Sequence, residues 1–182
     1  MNSDVAAAAA GATGYNRPED VEIATSTGNN RGGSNVLYVA ITGSSGPTDE
    51  RVLGVDLREP QGGSQHETAF VYDYVRKGLN APADFEMPDN LALDKNGNLY
   101  IAEDPGGTFP AKTRGDDIWV AVPDKGGQHQ PAEATVRFAS LTDCNAEPTG
   151  IYFDKRGWAL YVHAQHRGGD GVDLEVKIER VQ

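Results

Sequence analysis

Hydrophobic and polar positions alternate in short runs along most of this chain. The clearest run is Pro88-Asp89-Asn90-Leu91-Ala92-Leu93-Asp94, followed by Lys95-Asn96-Gly97-Asn98 and then Leu99-Tyr100-Ile101-Ala102. Period-two alternation on both sides of an Asn-Gly turn predicts a β-hairpin. The pattern recurs: Pro148-Thr149-Gly150-Ile151-Tyr152-Phe153-Asp154 leads through Lys155-Arg156-Gly157 to Leu160-Tyr161-Val162. A first copy, Pro18-Glu19-Asp20-Val21-Glu22-Ile23, is separated from Leu37-Tyr38-Val39-Ala40 by a longer Gly/Asn/Ser-rich loop.

Further strand-like segments follow the first two hairpins: Arg51 to Leu57 and Ala69 to Val75, then Asp117 to Val122 and Ala134 to Ala139. Four-stranded antiparallel units whose starts lie about 60 to 70 residues apart are the pattern of β-propeller blades. The third unit ends after Leu174 to Val181. The expected fold is therefore all-β: a partial β-propeller of about two and a half to three four-stranded antiparallel blades, against the roughly four to eight of a closed ring. Residues 1–13 read as a flexible N-terminal segment and 14–182 as the propeller domain, with blades at approximately 14–80, 81–142 and 143–182. Open outer blades are expected to expose Val21, Leu37, Ile151 and Val162, so that missing blades or a partner chain would be needed to close the ring.

Composition narrows the chemistry. Sixteen basic residues against 27 acidic ones give a net charge of −11 in 182 residues, a field that repels phosphate backbones and anionic lipids, so neither nucleic acid nor membrane insertion is expected. The single Cys144 excludes an internal disulfide and a multi-thiolate zinc site, and reads as a small buried or loop thiol. The Ala6 to Ala10 run is too short and weakly apolar for a signal or spanning segment. An export signal, if the protein has one, would lie outside this sequence.

Successive blades bring equivalent positions toward one axis, so the repeat alignment locates a site. Near the starts of the inner strands stand Arg17 with Glu19, then Asp89, then Glu147; after the second strands stand Glu103 and Asp104, then Gln165 and His166, where the first unit has Ile41 and Thr42. Converging carboxylates require protonation or a cation, and calcium is the natural oxygen-ligated ion. Strand parity turns Glu103 and Asp104 to opposite faces, leaving one of the pair as a ligand. Arg17 suits bidentate capture of a phosphate or carboxylate.

Each of these residues has a plainer reading. Arg17 with Glu19 could be a surface ion pair, and Glu103, Asp104, Glu147 and Asp89 could serve turns. The Asp94-to-Asn98 run lacks the Gly and Glu that a calcium loop needs at its sixth and twelfth places, which are Leu99 and Pro105, and reads as a hairpin turn. His163 and His166 point to opposite faces, leaving His166 alone as a channel candidate. The Gly pairs at 32–33, 62–63, 106–107 and 126–127 fit no phosphate-loop spacing and read as surface loops.

Gly14-Tyr15-Asn16-Arg17-Pro18-Glu19-Asp20-Val21-Glu22, Pro88 to Asp94, Asp116-Asp117-Ile118-Trp119-Val120-Ala121 and Glu147-Pro148-Thr149-Gly150-Ile151-Tyr152-Phe153 resemble the C-terminal half of PhoX-type alkaline phosphatases. The resemblance implies a six-bladed propeller whose channel holds calcium and iron and hydrolyses phosphomonoesters, in secreted or periplasmic enzymes. It implies that Arg17 binds the substrate phosphate and that Glu19 ligates metal. Glu103 or Asp104, with Asp89 and Glu147, would complete the calcium shell, while the iron-binding cysteine of the family has no counterpart here. The same residues admit two other functions. The hairpin at 88–102 is similar to repeats of calcium-dependent sugar-lactone hydrolases of the gluconolactonase type, and an open-faced propeller could bind a metal or partner without catalysis.

Overall fold

A computed structural model describes residues 3–24, 35–43, 50–57, 69–104, 114–126, 129–166 and 171–179. A short helix, α1 (Ser3–Ala9), precedes β1 (Pro18–Ala24), β2 (Asn35–Ile41), β3 (Arg51–Leu57) and β4 (Ala69–Arg76). There follow β5 (Pro88–Leu93), β6 (Leu99–Glu103), β7 (Asp117–Val122), β8 (Ala134–Ser140), β9 (Ala146–Phe153), β10 (Ala159–His166) and β11 (Leu174–Glu179). Each sheet is an antiparallel meander in chain order: β1 to β4, β5 to β8 and β9 to β11. The innermost strands β1, β5 and β9 lie side by side, which is the stacking of propeller blades. The chain is thus an all-β partial propeller with two four-stranded blades and a three-stranded one among the described residues. The expected strands are present. Of the loop assignments, residues 32–33, 62–63, 106–107 and 127 lie outside the described residues, as do 180–182 at the end of the last expected strand.

Alternation builds the core. In the middle blade Leu91, Leu99, Ile101, Trp119 and Ala121 face the first blade and join Ala24, Tyr38, Ala40, Val52 and Tyr74. The intervening residues Ala92, Ala102 and Ile118 turn the other way and join Ile151, Leu160 and Val162 of the third blade. A strand buried on both faces reads as a nearly continuous apolar run, which is why β7 is Ile-Trp-Val-Ala-Val. Aromatic rings add to this packing: Tyr38 and Tyr74 lie 4.5 Å apart within the first blade, and Tyr100 of the middle blade meets Phe153 of the third edge-on at 4.9 Å.

The hairpin turns use a side chain that the Asn-Gly pattern does not reveal. Asp94 Oδ1 accepts hydrogen bonds from the Asn96 and Asn98 amides at 2.8 and 2.9 Å, and Gly97 closes the turn at φ 86°, a left-handed conformation that glycine adopts without strain. Asp154 repeats this arrangement, accepting from Trp158 and Ala159, with Gly157 at φ 64°. Asp94 is thereby a turn-forming residue, in agreement with the hairpin reading.

Two expectations need correction. Ile151 and Val162 are buried against the middle blade, at 6% and 2% exposure, because their parity faces inward. The open side of the third blade instead carries Tyr152 stacked on Tyr161, with the Lys177 ammonium over the Tyr161 ring. Val21 is exposed as expected. The N-terminal segment carries the alanine-rich helix α1, consistent with alanine's high helical propensity.

Ile101 is fully buried between the first two blades. Ile101→Ala should lower stability by about 3 kcal/mol through lost burial and a residual cavity, whereas Val136→Ala on the exposed face of β8 should change it by less than about 0.5 kcal/mol. Thermal melts of both variants check the contrast.

Candidate active site

The inner strands do not run straight into their hairpins. The β1–β2 register jumps between Pro18 and Val21, and the β5–β6 register jumps between Pro88 and Leu91. A bulge lifts residues out of the ladder and redirects their side chains. The redirected residues are Glu19 with Asp20 and Asp89 with Asn90, at equivalent places in two adjacent blades. The residue before each proline has a positive φ, 54° at Arg17 and 36° at Met87, a conformation uncommon outside glycine.

Arg17 forms the centre of the group. Its Nε donates to Glu19 Oε1 at 3.2 Å, and its Nη2 lies 3.5 Å from Asp104 Oδ2. The guanidinium therefore joins the first blade to the second while remaining well exposed, so these pairs add little to stability. Asp89 stands in the same field. Desolvation first, then the charges of Asp104 and Glu19, push its carboxyl up to about 6, with Arg17 opposing and Asp20 adding to the rise. Asp89, Asp104, Glu19 and Arg17 are thus brought within electrostatic reach of one another at the blade 1–blade 2 seam.

Parity separates the acidic pair after β6 as expected. Asp104 turns toward Arg17, and Glu103 turns into the middle blade, fully buried. Glu103 Oε1 accepts from the Glu86 amide at 2.7 Å and from Trp119 Nε1 at 2.7 Å, and its Oε2 accepts from the Asp117 amide at 3.1 Å. Burial pushes Glu103 up to about 8, against the pull of the Glu86 and Trp119 donors and of Arg114, with the Asp117 charge adding to the rise. A carboxylate occupied by three N–H groups inside a blade is a structural bracket, so Glu103 is not placed as a direct metal ligand. Glu147 is half-buried on β9, opposite Gln165 in register. His166 is held by Asp143 at 3.1 Å, and His163 points to the opposite face toward Glu175. Cys144 is a free thiol in the turn before β9.

One residue has a role that its place in the repeat did not reveal. Thr42 is fully buried; its amide donates to the Arg17 carbonyl at 3.0 Å and its hydroxyl to the Pro88 carbonyl at 2.8 Å. It ties the backbone carrying Arg17 to the backbone preceding Asp89. The repeat alignment set Thr42 opposite Asp104, and the structure preserves that equivalence: the Asp104 amide donates to the Met87 carbonyl at 3.0 Å.

The carboxylates suit calcium in chemical kind. Asp89 is raised by its acidic neighbours, and a hard cation would relieve that repulsion. The described residues nevertheless contain no group of three or more His, Cys, Asp or Glu placed to hold a metal ion. Iron fits less well, since Cys144 belongs to no such group.

A partial propeller with an arginine among carboxylates at a blade seam defines the class, and the comparisons give the family. A model of the alkaline phosphatase PhoX family matches residues 1–168, and the chain belongs to that family. Among solved structures it is similar to Pseudomonas fluorescens PhoX in complex with vanadate, a transition state analogue. The TM-score is 0.59 at 22% identity, covering 97% of this chain and 36% of that one, a likeness that shows the fold. No curated protein matches the chain.

Two predictions follow from these carboxyls. Glu103→Ala should cost about 3 kcal/mol by leaving the buried Asp117 and Trp119 donors and the part-buried Glu86 amide without their acceptor, seen as a large fall in the denaturation midpoint. Asp89 titrates above the ordinary aspartate value, so its favourable contribution is complete below about pH 4 and is lost as pH rises through about 6. Asp89→Asn should therefore be more stable than the parent by roughly 1–2 kcal/mol at pH 8, and the difference should vanish near pH 4; chemical denaturation at the two pH values measures it.

Proposed function

We propose that this chain supplies the phosphate-binding arginine and part of the metal shell of a PhoX-type phosphomonoesterase, with a phosphomonoester as its substrate. The observation that carries the reading is Arg17, a partly exposed guanidinium held between Glu19 and Asp104 beside the desolvated Asp89, in a member of the PhoX family. A planar guanidinium offers paired donors to two phosphoryl oxygens. Glu19 fixes its Nε edge, leaving the remaining donors to meet an incoming phosphate and the negative charge that grows on it. Asp104 and Asp89 set the opposite wall, and Glu103 supports that wall from inside the blade.

Glu19, Asp89 and Asp104, with Glu147 from the next blade, are the residues assigned to calcium. Bound there, calcium would supply Lewis-acid polarisation of a phosphoryl oxygen. Iron, implied by the resemblance, finds no cluster of ligating side chains around Cys144 among the described residues. The chain spans 36% of the length of the vanadate-bound Pseudomonas structure, so blades beyond those described would complete the channel. By its resemblance, such an enzyme would work in the periplasm or outside the cell; no described helix is long and apolar enough to cross a membrane.

Vanadate, a transition state analogue for the Pseudomonas enzyme, provides the test alongside turnover of 4-nitrophenyl phosphate with calcium and iron added. Arg17→Ala should lower kcat/KM about 10²- to 10³-fold and weaken vanadate binding, with the thermal midpoint nearly unchanged. Normal turnover in that variant would remove the role given to Arg17, and absence of both turnover and vanadate binding in the parent would overturn the phosphatase reading.

A further inference from the structure

In the Pro-led element that begins each inner strand, the two positions after the proline have different destinations. The first of them, Glu19 or Asp89, belongs to the site. The next, Asp20 or Asn90, reaches into the next blade. Asp20 Oδ2 accepts the Leu91 amide of β5 at 2.8 Å while its Oδ1 accepts the Val21 amide at 2.8 Å. One blade further on, Asn90 Oδ1 accepts the Gly150 amide of β9 at 2.7 Å and the Thr149 hydroxyl at 2.6 Å. In the third blade the equivalent residue is Gly150, whose amide donates to Asn90 and which has no side chain to reach further.

These contacts lie where the β5 and β9 backbones are least constrained by their own sheets. The bulge removes Leu91's neighbours Asp89 and Asn90 from the β5–β6 ladder, and in β9 the register jumps between Thr149 and Tyr152. An amide freed by a bulge needs an acceptor from elsewhere, and the preceding blade provides one. Each acceptor is one residue from a site carboxylate, since Asp20 follows Glu19 and Asn90 follows Asp89, and the donor Leu91 lies two residues after Asp89.

We propose that Asp20 and Asn90 are positioning residues that staple each blade to the next at the height of the site and so set the spacing of Glu19, Asp89 and Glu147. The proposal rests on the phosphatase reading only for what the spacing is for; the staple itself is a claim about geometry. A staple of this kind acts on binding more than on folding, since the apolar seams hold the blades together without it. Asn90→Asp keeps the Oδ1 acceptor and serves as the conservative variant.

The test uses Asp20→Ala, Asn90→Ala and Asn90→Asp with three readouts. Amide exchange at Leu91 should accelerate at least tenfold in Asp20→Ala, and at Gly150 in Asn90→Ala. The Arg17 Nε–H resonance, which reports the bond to Glu19, should shift or broaden in Asp20→Ala. Vanadate affinity measured by calorimetry should fall at least tenfold in both alanine variants, with the thermal midpoint lowered by only a few degrees, and Asn90→Asp should restore it. Unchanged Arg17 Nε–H signal and unchanged vanadate affinity in the alanine variants would overturn the proposal whatever happened to stability. If the parent itself bound no vanadate, the phosphatase reading would fall while the amide exchange and the Arg17 resonance still decided the staple.

Discussion

The seam between adjacent blades is the constraint on which everything else depends. Burying Leu91, Ile101 and Trp119 against the first blade and Ala92, Ala102 and Ile118 against the third fixes the middle sheet from both sides, since neither face can slide without opening packed apolar surface to water. With the sheets fixed, β1, β5 and β9 must lie side by side, and residues at the same repeat position come to the same height. The site is a consequence of that stacking. No single blade contains it: Arg17 and Glu19 come from the first, Asp89 and Asp104 from the second.

Polar contacts then refine what apolar packing leaves loose. Packing sets blade separation to within a side chain's tolerance, whereas a guanidinium between two carboxylates needs tighter placement. Thr42, bonded to the Arg17 and Pro88 carbonyls, and Glu103, gathering the Glu86, Asp117 and Trp119 N–H groups, supply it from buried positions. Buried polar groups of this kind are tolerable only because they are hydrogen-bonded. They hold the backbone around Asp89 and Asp104 in place while Arg17 and Glu19 remain open to solvent.

Much of the fold was legible because it follows from two local rules, alternation and turn chemistry, repeated three times. The strand set, the hairpins at Gly97 and Gly157 and the opposite facing of Glu103 and Asp104 all come from period-two parity. What parity could not supply was which of two faces lies inward in an outer blade: Ile151 and Val162 face the middle blade, a fact about neighbours and not about β9 or β10 alone. The bulges at 18–21 and 88–91 were equally hidden, since Glu-Asp and Asp-Asn after a proline read as ordinary strand starts. Thr42 was hidden too, because a threonine at a strand end has no chemical signature until its hydroxyl is seen on the Pro88 carbonyl.

Arg17 shows how these layers meet in one residue. Its φ of 54° carries a conformational cost of order 1 kcal/mol for a side-chain-bearing residue, and the exposed ion pairs to Glu19 and Asp104 are too weak to compensate it reliably. The conformation is held by the backbone: the Arg17 carbonyl accepts the Thr42 amide, and the Asn16 carbonyl accepts the Gly43 amide, while Pro18 locks the following residue. Met87 has the same positive φ and the same carbonyl-to-amide bond, to Asp104, yet bears no charged side chain. The turn therefore recurs in the first two blades and not at Glu147 of the third, and what distinguishes the first blade is the arginine that stands on it.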